Sequence, residues 1–172
     1  MKICFITDTY CDINGVSRFL QDILGIASKK DDEVYLLTVT NKKICNRYDK
    51  SIILKPKFSF PIPYYKELDM VFPPFNRIKK ELDTIQADII HISTPGIVGF
   101  YGRYYAKKNN IPIAGTYHTD FPSYVYKNTK IRLFEKIVKK YMHFFYKDFQ
   151  ILFTRSLEYM KPLTHFLFLF IV

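Results

Sequence analysis

The feature that most constrains this chain is a strand, a glycine turn and a helix in direct succession over Lys2–Ala27. Lys2–Thr7 is a short apolar run with β-branched and aromatic residues, which predicts a buried strand. From Val16 the apolar residues recur at the spacing of one helix face. A helix that begins behind a glycine presents free N–H groups and its positive dipole end, which suits a phosphate. The Asn14-Gly15 pair fits a plain tight turn equally well, and both interpretations stay open here.

Strand and helix patterns continue to alternate along the chain. Further strands are predicted at Glu33–Thr40, Ser51–Leu54, Asp88–Ser93, Ile111–Tyr117 and Gln150–Thr154, and further helices at Phe75–Ile85, Thr94 to about Lys108, Thr129–Lys147 and from Ser156 to Leu163. This alternation predicts an α/β fold, a Rossmann-like open parallel sheet with helices on both faces. Ligands bind such sheets at the carboxyl ends of the strands, where Asp8–Gly15, Ser93–Gly96 and Tyr117–Asp120 fall.

Three local patterns give more detailed expectations. Thr94 is a predicted helix N-cap, with Pro95 as the first helical residue. The glycines at 96, 99 and 102 recur every three residues, which favours close packing of that helix on a strand over space for a ligand. Lys55–Pro74 is rich in proline and aromatic residues and is predicted to be a long irregular excursion, either a functional loop or a surface loop with its aromatics tucked beneath.

Charge and composition restrict the classes of partner. The chain has 26 Lys+Arg against 16 Asp+Glu, a net charge of +10, which favours nucleic acid, anionic lipid or phosphorylated ligands. Its three cysteines lack C-x-x-C spacing, which predicts neither a zinc site nor a disulfide framework.

The first apolar run is broken by Asp8, too early for a signal peptide, and a cytoplasmic location is expected. The apolar run Phe166–Val172 is far shorter than the roughly 20 residues of a spanning helix.

Several catalytic motifs are absent from the sequence. There is no G-x-G-x-x-G, no P-loop pattern, no G-x-S-x-G elbow and no D-x-D pair. The four histidines show no metal-ligand spacing, so no metal site is predicted. His118, at a predicted strand end, can orient or deprotonate a hydroxyl group. It also fits a structural histidine with its hydrogen bonds satisfied inside the protein.

Five stretches spread over almost the whole chain resemble one enzyme family. They are ITDTYCDINGVSRF (Ile6–Phe19), EVYLLT (Glu33–Thr38), DIIHISTPGIVG (Asp88–Gly99), IPIAGTYHTDFPSY (Ile111–Tyr124) and FTRSLEY (Phe153–Tyr159). In these stretches the chain resembles the N-terminal, acceptor-binding half of a GT-B-fold glycosyltransferase of family 4. INGVS together with YHTDFPSY carries most of the specificity. The most similar subgroup includes enzymes that glycosylate lipids such as diacylglycerol or phosphatidylinositol.

The resemblance implies a site as well as a fold. In this family two Rossmann-like domains face each other across a cleft, and a hexose passes from a nucleotide-sugar to a lipid or sugar hydroxyl with retention, without a metal or other cofactor. It implies that Gly15 and Val16 lie against the donor diphosphate and that His118 is catalytic, contacting the transferred sugar or the acceptor. The acceptor side is expected to comprise Asp8, Tyr10, Asn14, Tyr117, Thr119 and Asp120.

The resemblance also predicts a division of the chain. Residues 1–160 are expected to form the N-terminal domain, and residues 161–172 an apolar tail produced by truncation or a frame shift before the donor domain. The polypeptide alone is therefore expected to be inactive unless a separately encoded C-terminal half is supplied. The basic helix Thr129–Lys147 suits peripheral docking on an anionic membrane, or is simply a solvated lysine face. A non-catalytic fragment and a basic nucleic-acid-binding domain are the rivals, but no nucleic-acid motif occurs and the lysines are scattered.

Overall fold

A parallel sheet organises the chain. The computed structural model describes residues 1–29, 33–42, 48–62, 65–154 and 169–171. The strands are β1 (Lys2–Thr7), β2 (Glu33–Val39), β3 (Ser51–Leu54), β4 (Phe58–Ile62), β5 (Tyr65–Phe72), β6 (Ile89–Ile92), β7 (Ile113–Tyr117), β8 (Ile151–Thr154) and β9 (Leu169–Ile171). Seven of them form one sheet in the order β3-β2-β1-β6-β7-β8-β9, and every neighbouring pair in it is parallel. The predicted α/β class is confirmed.

Helices cover both faces of this sheet. They are α1 (Gly15–Lys29), α2 (Phe75–Ile85), α3 (Ile97–Lys108), α4 (Phe121–Thr129) and α5 (Arg132–Tyr146). Because successive strand residues point to opposite faces, β1 divides its side chains between two cores. Phe5 packs with the apolar face of α1, whereas Cys4 and Ile6 pack with α2, α3 and α5. Because β1, β6 and β7 are parallel neighbours in the sheet, their carboxyl ends lie side by side.

The proline-rich excursion has more structure than the sequence predicts. Strands β4 and β5 pair antiparallel as a separate two-stranded sheet, with a register shift between Pro61 and Ile62. Proline lacks a donor, but a strand with a free edge tolerates it, especially at an irregularity. Phe58 stacks on Phe72 with ring centroids 4.2 Å apart. The prediction of an irregular excursion is therefore wrong for this segment.

Helix α3 begins two residues later than predicted and without the predicted cap. Gly96 is its N-cap residue and makes no side-chain cap, while the hydroxyl of Thr94 donates to Asp8 at 2.8 Å instead. The prediction of close glycine packing is confirmed. A Cβ on Gly102 would lie 2.7 Å from Cδ1 of Ile6 on β1, and one on Gly99 would overlap the carbonyl oxygen of Thr94.

The long basic helix predicted over Thr129–Lys147 is the second of two helices. Helix α4 precedes it, and its C-cap residue Lys130 adopts a left-handed conformation with φ 58°. Within α5 only Met142, Phe145 and Tyr146 are fully buried. Several apolar side chains of this helix, including Phe134 and Ile137, are exposed to solvent.

Two further sequence expectations concern the tail and the cysteines. Residues 169–171 form the edge strand β9 beside β8, while the helix predicted from Ser156 to Leu163 lies outside the described residues, and the division at residue 160 stays a prediction. Cys4 is a buried free thiol whose pKa is raised to about 12 by desolvation. Cys11, however, is disulfide-bonded, which is a single bridge and not the disulfide framework that the sequence argues against. An odd cysteine count excludes complete pairing but not a single bridge.

Candidate functional site

A cavity of about 640 Å³ opens at the carboxyl ends of β1, β6 and β7. This is the position at which open α/β sheets bind ligands. Six of the nine predicted site residues line it: Asp8, Asn14, Gly15, Val16, His118 and Thr119. The tertiary fold therefore brings residues that are more than 100 positions apart in sequence into one site.

The N-terminus of α1 points into this cavity and is capped by Asn14. The side-chain oxygen of Asn14 accepts from the backbone N–H groups of Val16 at 3.0 Å and Ser17 at 2.9 Å. Its amide nitrogen donates to the hydroxyl of Thr9 at 2.6 Å. Asn14 therefore uses the first two donors after Gly15, as an asparagine N-cap does. Among the described residues no glycine has a positive φ, so Gly15 starts the helix without backbone strain.

Asp8 connects the end of β1 to the start of α3. Its carboxylate accepts from the backbone N–H groups of Val98 at 2.8 Å and Gly99 at 3.2 Å. The Thr94 hydroxyl also donates to this carboxylate, and the same hydroxyl accepts from the Asp8 backbone N–H at 2.7 Å. Burial raises the pKa of Asp8, while the hydrogen bonds from Val98, Thr94 and Gly99 act in the opposite direction. Asp8 thus caps α3 from a different element and holds one wall of the cavity.

Replacing Asp8 with alanine is expected to destabilise the domain by about 1–3 kcal/mol, because partly buried donors at the α3 N-terminus lose their acceptor. The measurement is the free energy of unfolding in urea. Asp22→Ala is the matched control, since Asp22 is an exposed acid paired with Arg18 on α1, where a change within about 0.5 kcal/mol is expected. An Asp8→Ala domain as stable as the wild type would contradict this capping role.

His118 follows β7 and lies on the α1 side of the sheet. Its imidazole is 8% exposed and packs edge-on against Phe19, with ring centroids 5.0 Å apart. A second histidine, His91 on β6, is buried nearby, stacks on Phe5 at 4.4 Å and hydrogen-bonds the hydroxyl of Thr116 at 3.0 Å. Desolvation, aided by His118, lowers the pKa of His91 to about 3, so His91 is neutral at pH 7. Only His118 of this pair lines the cavity.

Three predicted site residues lie outside the cavity lining. Tyr10 is 2% exposed in the core beneath α1, and its carbonyl oxygen accepts from the Ser17 hydroxyl. Tyr117 is buried in the opposite core, and its hydroxyl donates to Asp120 at 3.4 Å. Asp120 is the N-cap residue of α4, where it accepts from the backbone N–H of Ser123. The structure thus places these three behind the cavity wall, and their assignment to the acceptor stays a prediction.

The cavity also has a wall made of residues that the sequence did not indicate. Its apolar lining comes from β5, α3, α4 and α5, with Met70, Val71, Ile97, Phe100, Phe121, Val125, Val138, Tyr141, Met142 and Tyr146. Ser93, at the end of β6, lines the polar part, and its buried hydroxyl has no hydrogen-bond partner among the described residues. Tyr141 is held in place because its hydroxyl donates to the carbonyl of Pro95 at 2.6 Å. The cavity therefore has a polar end at the strand termini and an apolar end between the helices.

Comparison with known protein families agrees with this geometry. The family model described as Glycosyltransferase Family 4 matches residues 13–159, which is most of the chain. The chain belongs to glycosyltransferase family 4. The resemblance predicted from the sequence motifs is thereby confirmed, and the matched range includes Asn14, Gly15 and His118.

Two curated relatives are, by name, a glycolipid synthase and a sulfoquinovosyl transferase. The family 4 chain is 31% identical over 144 residues to the alpha-monoglucosyldiacylglycerol synthase of Streptococcus pneumoniae (strain ATCC BAA-255 / R6), covering 83% of this chain and 32% of that protein. It is 29% identical over 117 residues to the sulfoquinovosyl transferase SQD2 of Arabidopsis thaliana, covering 68% of this chain and 22% of that protein. The chain therefore spans a third or less of the length of these relatives.

Solved structures support the fold of this family 4 domain. An alpha-glucosyltransferase in complex with UDP and DNA superposes with a TM-score of 0.53 at 16% identity, covering 99% of this chain and 41% of that one. The UDP-GlcNAc 2-epimerase from Methanocaldococcus jannaschii gives a TM-score of 0.52 at 13% identity, covering 100% of this chain and 45% of that one. At these identities the likeness establishes the Rossmann-like fold alone.

Proposed function

We propose that this family 4 domain holds the acceptor in a reaction that transfers a sugar from a nucleotide-sugar to the hydroxyl of a lipid. The observation that carries the proposal is the two-ended cavity, polar at the strand ends and apolar between α4 and α5. An acceptor with one reactive hydroxyl and a long hydrocarbon part matches both ends. The names of two relatives, the alpha-monoglucosyldiacylglycerol synthases of Streptococcus pneumoniae and Acholeplasma laidlawii, support a lipid over a soluble sugar acceptor.

We assign roles to the polar residues on the basis of their positions in the cavity. Gly15 lies at the N-terminus of α1, where the helix dipole favours the donor diphosphate. Asn14 already accepts from the Val16 N–H, so we assign close approach of the phosphate to the backbone at Gly15 and only packing to Val16. His118, Thr119 and Ser93 all line the cavity, and we assign the reacting hydroxyl to the space beside them. The proposed transfer retains the anomeric configuration and needs no metal or other cofactor.

A chimera tests the proposal. In this chimera, residues 1–154 replace the matching part of the Streptococcus pneumoniae synthase. The remaining two thirds of that synthase then supply the binding site for the nucleotide-sugar. Transfer of labelled glucose from UDP-glucose to diacylglycerol or monoglucosyldiacylglycerol in vesicles is expected, and His118→Ala is expected to reduce it at least about 100-fold, as for loss of acid–base assistance. A folded chimera that binds UDP but transfers to neither lipid would overturn the proposal.

The 172-residue polypeptide assayed by itself is expected to show no transfer and no hydrolysis of nucleotide-sugars. The reason is that the chain matches only 32% of the length of its Streptococcus pneumoniae relative, and the proposed nucleotide-sugar site lies in the part that this chain does not match. The measurement is release of UDP from UDP-glucose and UDP-galactose, compared with His118→Ala as the background. Turnover above that background would contradict the proposal that the acceptor is bound by this domain and the nucleotide-sugar by the part of the relatives that this chain does not match.

We also propose that the domain works at the inner face of the cell membrane, bound peripherally. None of the helices among the described residues is long and apolar enough to cross a bilayer. Anionic lipid attracts each nearby Lys or Arg by about 1 kcal/mol, and salt screens this attraction. Sedimentation with phosphatidylglycerol vesicles at low salt is therefore expected to exceed that with phosphatidylcholine vesicles and to fall at 0.5 M salt. Equal sedimentation with both would reject the idea.

A further inference from the structure

The cavity differs in charge from the chain as a whole. The chain carries 26 Lys+Arg against 16 Asp+Glu. Among the described residues that line the cavity, however, none is a lysine or an arginine, and two are carboxylates, Asp8 and Asp69. A ligand that brings a negative charge against this lining meets no cationic side chain, which is unfavourable in a partly enclosed space. Away from the N-terminus of α1, the lining therefore favours an uncharged ligand.

The two carboxylates are in different situations. Asp8 is occupied as the cap of α3, where two backbone N–H groups and the Thr94 hydroxyl donate to it. The positive end of the α3 dipole also offsets the charge of Asp8. Asp69, on β5, is partly buried, and it makes no hydrogen bond or ion pair with any other residue in the described part of the chain. The carboxylate of Asp69 can therefore accept hydrogen bonds from a ligand.

The backbone of β5 is irregular directly beside Asp69. Asp69 pairs with Pro61 of β4, but the next residue, Ile62, pairs with Tyr65, so the register shifts at this point. Such irregularities occur beside binding sites, where they redirect a side chain. The two residues after Asp69, Met70 and Val71, belong to the apolar wall of the cavity. Asp69 thus borders that wall, where the headgroup of a lipid with its hydrocarbon part against Met70 would lie.

We infer that Asp69 determines acceptor specificity by selecting an uncharged headgroup that bears a hydroxyl group and by rejecting a headgroup that carries a phosphate. The inference rests on the proposed lipid acceptor and names the chemistry of its headgroup. A headgroup hydroxyl donates a charge-assisted hydrogen bond to the carboxylate. A phosphate in the same place would put two negative charges side by side, and this repulsion discriminates between acceptors. The donor diphosphate is assigned to a different element, the N-terminus of α1 at Gly15.

The inference is tested with two dissolved short-chain lipids that differ only by a phosphate, dihexanoylglycerol and dihexanoyl phosphatidic acid. Binding to the 172-residue chain is measured by calorimetric titration below the micelle concentration of both lipids. A salt concentration of about 0.5 M screens the basic surface. The wild type is expected to bind the neutral lipid at least about tenfold more tightly, and Asp69→Asn is expected to reduce the preference to about threefold or less.

Two further variants serve as controls. Asp49→Asn removes the same charge from an exposed turn before β3, outside the cavity lining, and is expected to leave the preference unchanged. Asp69→Glu keeps the charge and is expected to keep the preference. Equal binding of both lipids by the wild type, or an undiminished preference in a folded Asp69→Asn variant, would overturn the inference. Failure of the wild type to bind either lipid would instead refute the proposed lipid acceptor.

Contact of Asp69 with the nucleotide-sugar is the competing role. In the active chimera, Asp69→Asn is expected to lower about tenfold the ratio of kcat/KM for dihexanoylglycerol to kcat/KM for short-chain phosphatidylinositol, whose headgroup carries both hydroxyls and a phosphate. The KM for UDP-glucose is expected to stay within about twofold of that of the unmodified chimera. An increased KM for UDP-glucose with an unchanged acceptor ratio would assign Asp69 to the donor and contradict the inference.

Discussion

Gly15→Val in the active chimera is expected to abolish sugar transfer while the domain stays folded. Gly15 begins α1 at the edge of the cavity, and a branched side chain there would occupy the space through which the backbone approaches the donor diphosphate. Backbone strain is not a second reason, because no described glycine has a positive φ. The expected loss therefore comes from crowding of the ligand and not from strain. Transfer and thermal midpoint are measured together.

Asn14→Ala provides the comparison for Gly15→Val. It removes the side chain that caps Val16 and Ser17, which costs about 1 kcal/mol of stability, but it leaves the path to the backbone open. Asn14→Ala should therefore retain more transfer than Gly15→Val even though it is the less stable variant. Normal transfer by Gly15→Val, or a loss explained by unfolding, would show that Asn14-Gly15 is only a tight turn and not part of the site for the donor diphosphate.

Gly99→Ala is expected to destabilise the domain strongly, although it adds only one methyl group. The new Cβ would overlap the carbonyl oxygen of Thr94 and lie 3.0 Å from Cγ2 of Ile92. The backbone cannot yield as a flexible side chain can, so α3 must move away from β6. Overpacking of this kind costs about 1–3 kcal/mol and occasionally more, and the upper end is expected here. Urea unfolding with a shifted midpoint and unchanged slope is the measurement.

Gly25→Ala is the control because it makes the same change in a helix with nothing within 4 Å of the new Cβ. Replacing a glycine inside an exposed helix by alanine is expected to stabilise the domain by about 0.5–1 kcal/mol. The two glycine variants should thus shift the urea midpoint in opposite directions. A Gly99→Ala domain that gains stability like Gly25→Ala would show that α3 does not pack on β6 as closely as described.

The sequence by itself determined the order and type of most elements. Runs such as Lys2–Thr7 and Ser51–Leu54 appear as strands with the predicted bounds, because buried parallel strands are nearly continuous apolar segments. The sequence also predicted the helix α1 from its apolar period and the close packing of α3 from its glycine spacing, since both depend on residues a few positions apart. The strand ends then indicated the position of the site, because parallel strands end at one edge.

Only the tertiary structure decided which partners those residues meet. Local spacing makes Thr94 the obvious cap of α3, yet the acceptor for that helix is Asp8, about 90 residues earlier in the chain. Periodicity marks α5 as apolar, but it cannot show that half of that apolar surface is left uncovered beside the cavity. Hydrogen bonds and burial are satisfied by whatever the fold brings near, and a single sequence encodes local spacing more plainly than distant contacts.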